Sequence, residues 1–105
     1  MIADRLRLLA VVSAALALGA CAESTTPAER GWQVYQAYCA SCHGSDPARD
    51  GPIGPAIQGA SRELLEARVV RGTYPPGYTP KRPSRIMQPL PNLAPDIPDL
   101  VAYLR

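Results

Sequence analysis

The hydrophobic pattern of the 105-residue chain predicts three short helices. The first is predicted over residues 27–38, because Trp32, Tyr35 and Cys39 follow one another at i, i+3 and i+7. The last is predicted over residues 96–104, whose apolar stripe consists of Ile97, Leu100, Val101 and Leu104. The sequence shows no strand alternation, hairpin signal or internal repeat, so an all-α fold is predicted.

The second helix is predicted in the middle of the chain. Ser61 is a suitable N-cap, and Gly72 stands where a helix running through Arg71 would end. Leu65 and Val69 lie four positions apart within it and are expected on its inner face.

Proline concentrates in the segments between these helices. Residues 73–91 are too rich in proline for a helix or a central strand. An irregular segment of that length in a small domain is typically disordered or wrapped around a ligand. The chain has no Phe and one Trp, so its own side chains supply little large apolar volume. An apolar group that the chain does not encode is therefore expected at the centre of the fold.

The start of the chain has the pattern of an export signal. Arg5 and Arg7 form a basic leader, and residues 8–20 form an apolar run too short to span a bilayer comfortably. A cleaved signal peptide is therefore predicted over residues 1–20.

The predicted signal ends in Leu-Gly-Ala followed by Cys21, which resembles the lipobox of bacterial lipoproteins. In such signals cleavage precedes the cysteine, which then carries lipid, so Cys21 is expected to anchor the protein to a membrane. The alternative is an ordinary small-residue cleavage site beside a chance cysteine. Residues 21–28, small and polar, are expected to form a flexible tether, and residues 29–105 the folded domain.

The charge balance excludes one class of partner. Without residues 1–20 the chain keeps 9 basic and 8 acidic residues, which gives no basis for nucleic-acid binding. Export implies an oxidising compartment, here the periplasm, where free thiols persist only if something occupies them.

Two cysteines and the only histidine lie within five residues, Cys39-Ala40-Ser41-Cys42-His43. Structural zinc requires four ligands, and no second histidine completes a set. A thioredoxin-like dithiol expects a βαβ context that is missing here, and a plain disulfide leaves His43 without a role. Cys-x-x-Cys-His is the attachment signature of c-type haem, in which both thiols become thioethers and the imidazole binds iron. This interpretation is favoured because it also explains how both cysteines survive export.

The second axial ligand of such a haem is predicted to be Met87. A single histidine excludes bis-histidine ligation, and Met87 is the only methionine left once Met1 is removed with the signal. A thioether favours ferrous iron and raises the reduction potential. The alternative is that Met87 only fills core space. A six-coordinate iron offers no open position to substrate, whereas a five-coordinate one would suit a haem sensor or a peroxidase-like enzyme.

Three further stretches flank the motif, namely Gly31, Trp32 and Tyr35 before it, Gly-Pro-Ala-Ile at residues 54–57, and Leu-Val-Ala-Tyr-Leu at residues 100–104. With them the chain resembles a class I cytochrome c over residues 29–105. The resemblance implies a small cytochrome c fold, with about three short helices and long loops wrapped around one covalently bound haem c.

The resemblance also implies two contacts. Gly31 or Tyr35 in the first helix is expected to meet Tyr103 in the last. The Pro55 carbonyl is expected to accept a hydrogen bond from the far nitrogen of His43, which fixes the ring and increases its basicity. Many relatives have Met-Pro-Pro at the ligand, whereas here Gln88 follows the methionine. The polar group that supports the sulfur is left open among Tyr74, Tyr78 and Gln88.

These observations predict a membrane-tethered electron carrier on the periplasmic side, and not an enzyme. Its partners are expected to be redox proteins that donate and accept one electron, with the membrane reached through lipid on Cys21. Ala22, in place of the aspartate linked to inner-membrane retention, slightly favours the outer membrane. Three basic residues flank the predicted ligand, namely Lys81, Arg82 and Arg85. They are expected to steer an acidic partner or to pair with haem propionates, and the alternative is that they belong only to a solvated surface loop.

Overall fold

The computed structural model describes residues 24–105, and within them the chain is helical and has no strand. Four α-helices are α1 (Pro27–Tyr38), α2 (Ala40–His43), α3 (Arg62–Leu65) and α4 (Ile97–Leu104). The predicted all-α fold is confirmed. The signal peptide predicted over residues 1–20 and the lipid site Cys21 lie outside the described residues.

Two other helical segments complete the fold. The chain continues from α3 into a π-helical turn, Glu66–Val70, and a 3-10 helix, Pro91–Asp96, leads into α4. In the described part of the chain, no helix has the length and apolar character needed to cross a membrane. The short helix α2 adds to the three helices that the hydrophobic pattern predicts, because four residues are too few to show a period.

A reciprocal cap fixes the start of α1. The Thr26 hydroxyl accepts a hydrogen bond from the Glu29 amide (3.2 Å), and the Glu29 carboxylate accepts one from the Thr26 amide (3.1 Å). Pro27 occupies the first turn, where its missing N–H costs nothing. The helix predicted over residues 27–38 is confirmed, and its first two residues overlap the end of the expected tether.

Helices α1 and α4 cross where Gly31 has no side chain. A methyl group at Gly31 would overlap the Asp99 carbonyl oxygen and approach Cβ of Tyr103 to 2.9 Å. The rings of Tyr35 and Tyr103 pack at a centroid distance of 5.3 Å and an angle of 47°. The contact implied by the resemblance is thus present, and an ion pair of 3.1 Å from Arg30 to Asp99 lies beside it.

The core lies between α1, α4 and the segment that follows Ser61. Its buried side chains are Tyr35, Leu65, Val69, Leu93, Ile97, Leu100 and Leu104. Trp32 is half exposed although it shares the apolar spacing of α1. Pro98 falls in the first turn of α4, where a proline is tolerated.

The predicted middle helix starts where expected, but its second half is wider. The Ser61 hydroxyl accepts a hydrogen bond from the Leu64 amide, and Gly72 ends the segment at φ +67°. The Thr73 amide then reaches back six residues to the Ala67 carbonyl (2.9 Å), one residue further than a Schellman cap on an α-helix. This wider closure suits the π-helical turn at Glu66–Val70.

We call residues 71–90 the proline-rich loop. The loop contains no helix, in agreement with the irregular structure predicted for residues 73–91. It starts at the Thr73–Ala67 hydrogen bond and returns to the core where the Leu90 amide donates to the Val69 carbonyl (2.6 Å). Between these points it forms one wall of a cavity.

Candidate haem site

Helix α2 places both cysteines and the histidine on one cavity. Cys39 directly precedes its four residues, and Cys42 follows one turn later, so both thiols face the same side together with His43. The helix ends at Gly44, whose φ of +87° turns the chain away. The Tyr35 hydroxyl donates a hydrogen bond of 2.7 Å to the Gly44 carbonyl and so ties α1 to the end of α2.

A tight loop supports this helix from beneath. The amides of Ile53 and Gly54 both donate to the Cys42 carbonyl, at 3.1 and 2.8 Å. A methyl group at Gly54 would lie 2.7 Å from two atoms of the His43 ring, so only glycine leaves room for the imidazole. The loop thus packs against one face of that ring.

The orientation of His43 is set by a backbone carbonyl. Its Nδ1 lies 2.8 Å from the Pro55 carbonyl oxygen, the hydrogen bond that the resemblance implies. A carbonyl only accepts, so Nδ1 carries the proton and Nε2 keeps its lone pair. With the residue 8% exposed, His43 presents Nε2 as a potential metal ligand.

Met87 lines the same cavity from the proline-rich loop. The cavity has a volume of about 660 Å³, within the range of sites for large organic ligands. Much of its wall is aliphatic, including Leu65, Leu100 and Leu104 from the core. An apolar cavity with two thiols and an imidazole fits a covalently attached porphyrin.

The other interpretations of the motif find less support. No three His, Cys, Asp or Glu side chains within residues 24–105 are placed to hold a metal ion. Cys39 and Cys42 do not form a disulfide. Burial, and secondarily the charge of Cys42, raises the pKa of Cys39 to about 11. A redox-active dithiol requires a lowered pKa, so a thioredoxin-like role is disfavoured.

The three candidate supports for the Met87 sulfur also line the cavity. Tyr74 and Tyr78 stack on each other at 5.4 Å and 10°, and the Arg68 guanidinium lies 4.4 Å from the centre of the Tyr74 ring. Gln88 is exposed. The Arg68 guanidinium and the two stacked rings thus form one cation–π group on the wall that Met87 also lines.

The basic residues of the proline-rich loop have specific contacts. The Lys81 ammonium donates to the Ala56 carbonyl (2.7 Å), and Arg82 forms an ion pair with Asp50 (3.0 Å). Asp50 also accepts a hydrogen bond from the Ala56 amide. This hydrogen bond, and to a lesser degree the contact with Arg82, lowers the pKa of the Asp50 carboxyl group. No motif in the sequence points to Asp50, whose one signal is its position directly before Gly51-Pro52.

An all-helical domain in which a Cys-x-x-Cys-His helix opens onto a large apolar cavity is a c-type cytochrome domain. The chain belongs to the family described as cytochrome c oxidase, cbb3-type, subunit III, which matches residues 26–104. It is 35% identical to a cytochrome c-553-like protein of Synechocystis sp. (strain ATCC 27184 / PCC 6803 / Kazusa) over 78 residues, which cover 74% of this chain and 67% of that protein. No solved structure matches the chain significantly.

The family membership confirms the resemblance to class I c-type cytochromes and the cofactor, a covalently bound haem c. Cys39 and Cys42 stand in the attachment motif, so their thiols would form the thioethers.

Proposed function

We propose that the protein is a membrane-tethered carrier of single electrons on the periplasmic side, with His43 and Met87 as the axial ligands of its haem iron. One observation supports this above the others. His43, with Nδ1 engaged by the Pro55 carbonyl, and Met87, from a loop 44 positions later, both line the one cavity that Cys39 and Cys42 also line.

This arrangement suits electron transfer better than catalysis. The haem, when bound, supplies the one-electron couple of its iron. The Pro55 carbonyl holds the imidazole in one tautomer and increases its basicity, while the thioether of Met87 raises the reduction potential. Two protein ligands leave no iron position for a substrate.

The place of action follows from the first residues of the chain. Residues 1–20 would be the export signal, and lipid on Cys21 would anchor the mature protein, with the outer membrane favoured over the inner. The tether of residues 21–28, shortened at its end by the first turn of α1, would let the domain move near the membrane. The family is named for an oxidase subunit, so the alternative within this proposal is delivery of electrons as part of a larger complex.

The positive charges around the cavity support the proposal that the redox partner docks through an acidic surface. In the described part of the chain, the charged side chains on its wall are Arg68, Lys81 and Arg82, and no carboxylate lines it. Arg85 is exposed nearby in the proline-rich loop. A donor or acceptor that presents carboxylates would be steered towards this face.

The variant Met87→Ala tests the ligand assignment. It is expected to keep covalent haem, to lose the weak far-red sulfur-to-iron absorption of the ferric protein, and to lower the potential by about 0.1 V or more, within the ~0.8 V that axial ligands control. Arg85→Ala is the matched control, since Arg85 is an exposed residue of the same loop. Intact mass of protein purified from membranes would report haem and lipid on the same sample.

The second candidate, a five-coordinate haem sensor or peroxidase-like enzyme, predicts different results. The wild-type ferric protein would lack the far-red band, and the resting protein would respond rapidly to CO or peroxide. Met87→Ala would leave the potential unchanged. That set of results would contradict electron transfer through a His43–Met87 haem.

A further inference from the structure

The proline-rich loop has few polar attachments between its ends. Five of its residues from 75 to 89 are prolines, which have no amide hydrogen to donate. Its hydrogen bonds within residues 74–89 are local, from the Tyr78 amide to Pro75 and from the Ile86 amide to Ser84. Across the described chain, its hydrogen bonds and ion pairs to other segments over this span come only from Lys81 and Arg82.

Both side chains contact the same short segment, residues 50–56. One Asp50 oxygen pairs with Arg82 (3.0 Å), and the other accepts the Ala56 amide (2.8 Å). Lys81 donates to the carbonyl of the same Ala56 (2.7 Å). We call these four residues the clasp.

The clasp stands next to both proposed axial ligands in the chain. Ala56 follows Pro55, whose carbonyl holds His43. Arg82 precedes Met87 by five residues. The clasp therefore joins the segment behind the histidine to the loop that brings the methionine.

We propose that the clasp positions the proline-rich loop, and that Asp50 and Arg82 thereby set how often the Met87 sulfur leaves the iron. This inference rests on the proposed function, because it requires Met87 to be a ligand. Asp50 and Arg82 are positioning residues that act through the loop and touch neither the sulfur nor the iron.

The expected size of the effect on ligand exchange follows from the solvent exposure of the Asp50–Arg82 ion pair. The two side chains are 63% and 47% exposed, and such ion pairs contribute little to global stability. A loop with few other attachments opens locally without unfolding the core, so a weak contact can still change its open population. The clasp is thus expected to affect ligand exchange at the iron and to leave cooperative unfolding unchanged.

Imidazole binding to the ferric protein measures this opening. Imidazole must displace Met87, so its apparent affinity rises in proportion to the open fraction. Asp50→Asn and Arg82→Gln are each expected to bind imidazole about two- to fivefold more tightly than wild type. The double variant is expected to resemble the single ones, because both remove the same contact. The unfolding transition of these variants, followed by circular dichroism, is expected to match that of the wild type.

Two further variants isolate the contact. Arg85→Gln removes the same charge from the same loop at a residue with no anionic partner in the described chain, and it is expected to behave as wild type. Arg82→Lys keeps a cation within reach of Asp50 and is expected to restore most of the wild-type affinity. Asp50→Asn with wild-type imidazole affinity, or an equal effect of Arg85→Gln, would overturn the clasp.

Met87→Ala separates this failure from that of the proposed function. If the wild type binds imidazole as tightly as Met87→Ala, the methionine is not a ligand and both proposals fail. If Met87→Ala binds far more tightly than wild type while Asp50→Asn does not differ from it, only the clasp fails.

Discussion

The two sides of this domain are held together in different ways. Where α1 crosses α4, backbone meets backbone at Gly31, and Tyr35 is completely buried. On the other side the proline-rich loop is mostly exposed, with Met87 half-buried and Ile86 64% exposed. The first side is filled by protein atoms, whereas the second surrounds a cavity of about 660 Å³. A chain with no Phe and one Trp can form a small fold because the cofactor completes the second side.

Removing the haem attachment is expected to have the largest effect. The purified double variant Cys39→Ala/Cys42→Ala, without haem, is expected to lose most of its helical circular dichroism. The half of the core that the haem completes would then be missing, and a chain of this size has only about 5–15 kcal/mol of stability to lose. Ser41→Ala, an exposed change between the two cysteines, is the matched control and should keep both haem and fold. Cooperative unfolding of the haem-free variant would show that the helical side folds alone.

A larger side chain where α1 crosses α4 tests the helical side of the domain. Gly31→Ala places a methyl group on the Asp99 carbonyl, so the two helices must move apart. Denaturant unfolding is expected to show a loss of about 1–3 kcal/mol, the usual cost of overpacking.

The control for this change is Gln33→Ala on the exposed face of α1, expected within about 0.5 kcal/mol of wild type. Because the proline-rich loop does not take part in the crossing, imidazole affinity should be unchanged in Gly31→Ala. A large gain in affinity would mean that the two sides are coupled more closely than their contacts indicate.

The helical side could be predicted from sequence because its signals are local. Ser61 and Gly72 mark the ends of the middle segment, and the apolar stripe identifies the buried face of α4. The attachment motif is likewise contained in five residues. The start of α1 is local as well, because Thr26 and Glu29 form a reciprocal cap within four residues.

The loop side could be predicted only in outline. Proline content indicated an irregular segment around a ligand, but Asp50 and Arg82 are 32 positions apart, and no period or motif connects them. The Pro55–His43 hydrogen bond came from resemblance to a family, not from the residues alone. Pairings of this kind depend on how the chain closes around the cavity, which sequence pattern does not encode.

The smallest expected effect belongs to Tyr35, which touches both sides. Its ring packs against Tyr103 in the helix crossing, and its hydroxyl donates to the Gly44 carbonyl at the end of α2. Tyr35→Phe keeps the ring and removes this hydrogen bond, so a loss of about 0.5–1.5 kcal/mol is expected from denaturant unfolding at pH 7. Tyr38→Phe, on an exposed ring of the same helix, is the control and should change little.

The pH dependence of this loss tests whether the hydroxyl group of Tyr35 is buried in the folded protein. Burial raises the pKa of Tyr35 from its usual value of 10.0 to about 12, so the folded protein keeps the hydroxyl neutral where the unfolded chain ionises. The contribution of Tyr35 is therefore complete below about pH 10 and is lost as the pH rises through 12. Phenylalanine does not titrate, so the stability difference between wild type and Tyr35→Phe should shrink between pH 9 and 12. A difference that stays constant over this range would mean that the hydroxyl ionises equally in both states, and that it is not buried between α1 and the haem-binding helix in solution.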